Sequence, residues 1–459
     1  MKFSIVLLVS FILAACSGAA VKPAKEQGYA VGGTVILKSQ YLKPAPALTV
    51  YLPPDYKQST NSYPVLYMFD GQNLDKWKLV PALNSLTEKG LLPGIIVVGI
   101  DHRGAKRIFD MTPTEGGEHG GGLPDYARFI VEEVKPYIDS HYRTQPDPKH
   151  TGVMGSSLGG LSSFYMLGWY PEIFGKAGVI SPSFWWDDRQ ALKDAATVLK
   201  FSPGVKIYFD AGWREGGEEA YMIADIRDIY LKMKSLGFKD GANLHYYEDV
   251  NGSHNEDTWA KRLPMALLFL FSDYKPVYTN TSLALFPPKV GVGDVSHLIA
   301  AQTDTKGLMK KTIYPAVFTA DPANKVSIDG KGGLKGLIAG TVKIALKDYG
   351  VSLPLDILAE SRELVTVTVK VLSPVAVKSM KLEWVAMNEK KTNGSFALQL
   401  SADGKSGTAV LKKLKGLRLE ASVSADGGMK GYSPKGEAVI KKIIFTADKE
   451  TEITIGEWK

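Results

Sequence analysis

HTGVMGSSLGG, residues 150–160, places Ser157 between Gly155 and Gly159. Thr151-Gly152-Val153-Met154 is short and apolar, which predicts a strand. Leu158 through Trp169 is rich in Leu, Phe, Tyr and Met, which predicts a helix. A serine on so tight a strand-to-helix turn sits in a strained backbone conformation, and bulky neighbours two residues away would clash. Gly155 and Gly159 remove that clash. The turn also aims a helix N-terminus at the serine, where the Leu158 amide can donate to an oxygen that is becoming negative.

A serine hydroxyl is a poor nucleophile at neutral pH and needs a base, which in turn needs a carboxylate to hold its tautomer. The chain has seven histidines. His254 lies in DVNGSHNE, 249–256, a glycine-containing loop between the last predicted strand and the last predicted helix of the first half, and is the expected base. His102 and His119 lie on loops better placed for substrate contact; His141, His150, His245 and His297 are expected to be structural or exposed. The acid should follow the strand KIYFD. Its candidates are Asp210, Glu215, Glu218, Glu219 and Asp225. Glu215 is preferred because a loop residue reaches the His254 loop more easily, and Asp210 is second. Glu218 and Glu219 equally suit a helix start through its dipole. Asp70-Gly71 predicts a tight turn that could aim the Gln72 amide toward Ser157.

Around these residues, apolar strands alternate with amphipathic helices. Strands are expected at 48–52, 64–69, 95–100, 177–181, 205–209 and 244–247; helices at 79–89, 126–138, 218–236 and 256–271. Residues 95–100 are apolar enough to be buried on both faces. This alternation predicts an α/β fold with a mostly parallel sheet flanked by helices over 31–273.

The N-terminus, MKFSIVLLVSFILAAC, has one early lysine and an apolar run too short for a confident membrane span, which suits a signal peptide over 1–16. Leu13-Ala14-Ala15-Cys16 resembles a bacterial lipobox. That resemblance implies cleavage before Cys16 and a lipid on it, hence a bacterial envelope protein anchored to the outer membrane. Cys16 is the only cysteine, so no disulfide and no thiol catalysis are expected. Residues 17–30 read as a flexible tether.

The formal charge of +7 is carried by the C-terminal half, where residues 278–459 hold 26 Lys/Arg against 18 Asp/Glu. Such a surplus permits weak attraction to acidic glycans, lipid headgroups or nucleic acid. No zinc-finger spacing, aromatic RNA-binding motif or helix-turn-helix signal is present, so nucleic acid is not an expected partner. Prolines 276, 287 and 288 predict a linker over 274–288. Residues 289–361 form a small, less clear region, in which IYPAVFTA and KVSID suggest strands and VGDVSHLIAAQ a short helix. From 362 to 459, alternating runs such as VTVTVKV between turn signals predict a β-sandwich-like domain. It is expected to bind glycan or to act as a spacer, with Trp384, Tyr432 and Trp458 as candidate aromatics.

The pieces TVYLPPDY (49–56), YPVLYMFDGQN (63–73), IIVVGID (95–101), DYARFIVEEVKPYIDSHYRT (125–144), the Ser157 turn, FGKAGVISPSFWW (174–186), AGWRE (211–215) and GSHNEDTW (252–259) occur in one order. Together they resemble an esterase family of α/β-hydrolases that includes enterochelin esterases, feruloyl and acetyl-xylan esterases, and S-formylglutathione hydrolases. The resemblance covers about Thr34 to Phe271. It implies the α/β-hydrolase fold, with Ser157 as nucleophile, His254 as base, Glu215 or its neighbour as acid, and the Gln72 and Leu158 amides as oxyanion donors. Many relatives have aspartate where this chain has Glu215.

The implied chemistry is ester hydrolysis through an acyl-enzyme, without metal or cofactor. Residues 103–122 form a polar, glycine-rich loop in which Arg103, Lys106, Arg107 and His119 could meet substrate, and Trp185 or Trp186 could stack on a sugar or aromatic acyl group. Exported location with such a rim favours a feruloyl or acetyl ester of a plant-type carbohydrate. The alternatives are a siderophore trilactone, or a non-catalytic glycan-binding surface lipoprotein.

Overall fold

The computed structural model describes residues 28–459 except 117–118, 198, 200, 202–203, 216–220, 360–363, 387–392, 415–417, 427–428, 433–439, 445–448, 456 and 459. The expected leader, Cys16 and most of the tether lie outside the described residues, as do Glu218 and Glu219.

Eight strands form the central sheet: β1 (Ala30–Ile36), β2 (Ala47–Leu52), β3 (Val65–Phe69), β4 (Ile96–Ile100), β5 (Thr151–Ser156), β6 (Lys176–Ile180), β7 (Lys206–Gly212) and β8 (Leu244–Asp249). Their order is β1-β2-β4-β3-β5-β6-β7-β8. The first two strands are antiparallel additions, and every pairing from β4 to β8 is parallel. This is the α/β-hydrolase-like sheet, flanked by helices on both faces.

Alternation along β3 shows how the sequence fills both faces. Val65, Tyr67 and Phe69 join one apolar core, while Leu66 and Met68 join the other. After β4 a short helix α2 (Arg107–Asp110) leaves Ile108 and Phe109 exposed, and the first core is closed by α3 (Leu123–Arg128) running through a π-helical turn into α4 (Lys135–His141), α5 (Leu158–Trp169), α6 (Trp186–Thr197) and α7 (Tyr221–Ser235). The second is closed by α1 (Leu79–Glu88) and α8 (Glu256–Phe271). Each large side chain removed from water in these layers contributes about 1.5–3 kcal/mol before entropy is set against it.

The expected linker over 274–288 is not a linker. Tyr278–Phe286 forms β9, which pairs antiparallel with β11 (Val295–Asp304) across most of its length. The short helix expected in VGDVSHLIAAQ is β11 itself. Leu298 packs into the adjoining β-sandwich core and Ile299 into the hydrolase core. Burial on both faces erases the alternation that marks a half-exposed strand.

Two sheets build this sandwich. One runs β10 (Val290–Gly291), β17 (Val351–Leu358), β16 (Gly340–Leu346), β13 (Phe318–Asp321). The other runs β12 (Lys310–Thr312), β11, β15 (Gly333–Gly336), β14 (Val326–Ile328), with β9 on β11. Leu285, Leu298, Val326 and Leu334 face Val342, Ile344, Leu355 and Ile357 between them.

Further β-rich sheets follow. One contains β18 (Leu364–Leu372) paired with the strand Ser406–Leu414, and another contains β19 (Met380–Ala386) paired with the strand Arg418–Ala425. The side chains of Trp384, Tyr432 and Trp458 are outside the described part.

Candidate active site

In open parallel sheets, loops at the carboxyl ends of the strands form the natural ligand crevice. The residues of interest converge there. Ser157 follows β5 and caps α5 with φ 58° and ψ −121°, a left-handed conformation that a serine enters only under constraint. The constraint is visible at Gly155, where a Cβ would lie 2.7 Å from the backbone of Gly159. Leu158 is the first residue of α5. First-turn amides have no acceptor inside the helix, so its N–H is available beside the Ser157 hydroxyl.

His254 follows β8, directly before the helix-capping Asn255, whose side chain accepts from the Thr258 amide at 3.1 Å. The cap fixes where α8 begins and so where the histidine leaves the loop. His254 Nδ1 donates to Glu215 Oε2 at 3.1 Å, and the imidazole meets Trp259 edge-on with ring centroids 5.0 Å apart. With Nδ1 engaged, Nε2 is the imidazole nitrogen left for proton transfer.

Glu215 is completely buried, and its second oxygen is saturated with donors. Oε1 accepts from Ser181 Oγ at 2.8 Å, the Gly212 amide at 2.9 Å and Arg262 Nη2 at 3.2 Å. Ser181 Oγ in turn accepts from Trp259 Nε1 at 3.0 Å and Arg262 Nη2 at 2.7 Å. Burial alone would push the Glu215 carboxyl up. The His254 hydrogen bond, the Arg262 charge and the Ser181 bond outweigh burial and hold it below the usual glutamate range. It is therefore a carboxylate well before neutrality.

Asp210, the second-choice acid, occupies a different place. It ends β7 under Arg262, whose Nε lies 3.2 Å from Oδ1 but off the hydrogen-bond line. Burial, opposed by Arg262 and reinforced by Glu215, pushes the Asp210 carboxyl up to about 6. Its charge partner is Arg262, not His254. Asp225, inside α7, pairs with Arg189. Of the five acid candidates, Glu215 is the one that meets the histidine among the described residues.

Asp70 has φ 55° and heads a single 3-10 turn, Gly71–Asn73. The Gln72 side chain accepts from the His102 amide at 3.1 Å, tying this turn to the 102–122 loop. Arg107 grips the Asp70 carboxylate with Nε and Nη2, both at 2.7 Å.

Two expected substrate contacts are corrected here. The Arg103 side chain is 6% exposed and bonds Asp110 through Nε at 2.7 Å and through Nη2, with further bonds to the Lys43 and Pro44 carbonyls. Asp110 is itself buried, so leaving the arginine free would strand a charge. Trp186 is 3% exposed and donates from Nε1 to Thr114. It supports the 112–122 loop, while its neighbour Trp185 is 40% exposed. His119 is exposed on that loop with φ 58°.

Two residues escaped the sequence reading. Ser183 Oγ lies 3.3 Å from Ser157 Oγ, and the Ser183 amide donates to the Ser157 carbonyl at 3.0 Å. Among the described residues this is the side-chain partner of the Ser157 hydroxyl. Arg262 is the other, a fully buried cation serving Ser181, Asp210 and Glu215 from within α8. The sequence offered one signal for it, an arginine on the apolar stripe of a helix. Among the described residues no group of three His, Cys, Asp or Glu is arranged to hold a metal ion.

The family model described as "Putative esterase" matches residues 39–270, half of the chain. Over 218 residues the chain is 30% identical to the ferri-bacillibactin esterase BesA of Bacillus subtilis, covering 42% of this chain and 73% of that protein. It is 26% identical over 280 residues to an iron(III) enterobactin esterase of Escherichia coli O6:H1, covering 58% of this chain and 61% of that one. Among solved structures a ferulic acid esterase aligns at 17% identity with a TM-score of 0.42, over 54% of this chain and 98% of that one. A histidine held by a buried carboxylate and a serine on a strained turn, on loops at the same end of the sheet, are the equipment of an esterase, and the chain belongs to this esterase family.

Proposed function

We propose that the protein hydrolyses carboxylic esters through an acyl-enzyme on Ser157, with His254 as base and Glu215 as its orienting acid. The His254–Glu215 bond, made by a carboxylate that three donors fix on its other oxygen, carries this reading.

Ser157 Oγ gives its proton to His254 Nε2 and bonds the ester carbonyl carbon. The carbonyl oxygen takes the negative charge and is met by the Leu158 amide and, from the 70–73 turn, the Gln72 amide. Collapse breaks the bond to the alcohol, which leaves with the proton from Nε2. Water then gives a proton to His254, attacks the acyl carbon and releases the acid as Ser157 recovers its hydrogen. The Ser157–Ser183 bond describes a resting rotamer; catalytic hydrogen bonds are often made only when substrate arrives.

For the substrate we favour a feruloyl ester of a plant-type carbohydrate over an acetyl ester. Trp185, on the loop after β6, and Ile108 and Phe109, on α2 after β4, are exposed, and such surface gives an aromatic acyl group contact that an acetyl group cannot make. A siderophore trilactone is the second reading, supported by what the named bacterial relatives act on. A lipid on Cys16 at the outer membrane belongs to the same proposal; palmitate labelling lost in Cys16→Ser is its check.

The function is tested by hydrolysis of feruloylated and acetylated xylo-oligosaccharides, a catecholate trilactone and 4-nitrophenyl acetate, with Ser157→Ala as control. Feruloyl turnover abolished in S157A is expected. Turnover of the trilactone alone moves the substrate to the second reading. No S157A-dependent turnover of any ester overturns the proposal and favours a glycan-binding lipoprotein.

A further inference from the structure

Trp213 stands two residues before Glu215, on the turn that carries the acid out of β7. It is 1% exposed, yet much of what covers it comes from beyond the hydrolase sheet. Its ring lies 5.7 Å from Phe286 of β9 and 5.2 Å from His297 of β11, which are opposed residues in that strand pair. On the hydrolase side its Nε1 donates to Glu248 Oε2 at 2.9 Å and the Arg227 guanidinium sits 5.1 Å over its ring.

Arg227 extends the same joint. It clasps Glu248 with Nε at 2.7 Å and Nη2 at 2.8 Å, donates Nη1 to the Lys331 carbonyl of the sandwich at 2.8 Å, and lies 4.4 Å over the Tyr314 ring. Further along β8, the Glu248 amide donates to Thr312 Oγ1 at 2.7 Å and His245 Nε2 bonds the Lys310 carbonyl at 2.8 Å. The free edge of β8 is thus covered by β12, a usual way to protect an edge strand.

The joint reaches the catalytic groups through the backbone. The Trp213 amide donates to Asp249 O at 2.9 Å and the Arg214 amide to Gly252 O at 2.9 Å, so the acid turn is stapled to the loop that carries His254. The Trp213 ring is thus part of the turn that sets Glu215 against His254.

We infer that the β9–β17 sandwich is a positioning element for the catalytic acid, acting through the packing of Phe286 and His297 on Trp213. This rests on the assignment of Glu215 as the acid. The sandwich is part of how the esterase holds its site, not a module carried beside it. A misplacement of about 1 Å at a catalytic group can cost about 100-fold in rate, so loosening this support is read in turnover before it is read in binding.

The test uses the full chain and 4-nitrophenyl acetate. Phe286→Ala and His297→Ala are expected to lower kcat about tenfold or more with KM within about twofold, and Phe286→Leu to recover most of the loss. The decisive readout is coupling. In a Glu215→Gln background, Phe286→Ala should change kcat little further, because the group it positions is already gone. Val342→Ala, in the sandwich core away from Trp213, should lower the melting temperature and leave kcat unchanged.

If Phe286→Ala does not fold, Phe286→Leu and His297→Ala carry the same comparison. Wild-type kcat in the folded Phe286 and His297 variants, or losses that multiply fully with Glu215→Gln, overturn the inference. Wild-type activity in Glu215→Gln alone overturns the site assignment instead, so the two failures are distinguishable.

Discussion

Gly212 and Gly252 approach so closely that a Cβ on Gly252 would stand 2.8 Å from Gly212 Cα, and a Cβ on Gly212 would overlap the Gly252 carbonyl and lie 2.7 Å from Glu215 Oε1. The loops bearing the acid and the base meet at this contact. Gly212→Ala is expected to push Glu215 away from His254 and lower kcat about 100-fold, with a smaller change in KM. Steady-state kinetics of the folded variant check this, and an unchanged kcat would show that the loops have room to move.

Ser183 distinguishes a resting contact from a catalytic one. Its hydroxyl lies 3.3 Å from the Ser157 hydroxyl. Since His254 is the base in this account, Ser183→Ala should change kcat by less than tenfold, while Ser157→Ala abolishes turnover. An S183A loss as deep as that of S157A would make Ser183 part of the chemistry.

Asp210 and Glu215 shift in opposite directions, and stability should follow. The Asp210 carboxyl is raised to about 6, above its unfolded value of about 3.9. The folded protein therefore binds the extra proton, and this group's contribution to stability falls as pH rises from about 4 to about 6. Glu215 lies below its ordinary value, so its contribution is present above the unfolded pKa and is lost as pH falls through the folded one. Denaturant titrations across pH 3–8 should show Asp210→Asn flattening the decline toward pH 6 and Glu215→Gln flattening the acid-side loss.

The corrected rim assignments separate by phenotype. Arg103→Ala breaks a buried pair with Asp110 and is expected to cost about 3–5 kcal/mol of stability. Trp185→Ala removes an exposed ring, so the melting temperature should hold while KM for an aromatic ester rises up to about tenfold. A thermal melt beside KM for methyl ferulate checks both; a KM effect in Arg103→Ala with intact stability would return that residue to the substrate.

The hydrolase half was legible because its signals are local. GSSLGG dictates a strained turn, and IIVVGI can only be a strand buried twice. What stayed hidden depends on distant partners. Arg103 and Arg107 read alike as rim charges, and only the fold shows that Asp110 and Asp70 occupy them. Strand β9 was concealed by flanking prolines, and β11 by burial on both sides. Asp210 and Glu215 remained alternatives until the bond from His254 to Glu215 separated them, since Arg262, from the far end of the domain, pairs with both.

The most direct measurement is intact-protein mass after rapid quench with an activated aryl ester, in wild type, Ser157→Ala and Glu215→Gln. The account predicts a transient mass increase of one acyl group on wild type, mapped to the peptide holding Ser157. It predicts no adduct in S157A and slow, incomplete acylation in E215Q. Wild-type turnover with no acyl adduct, or an adduct that persists in S157A, would contradict it.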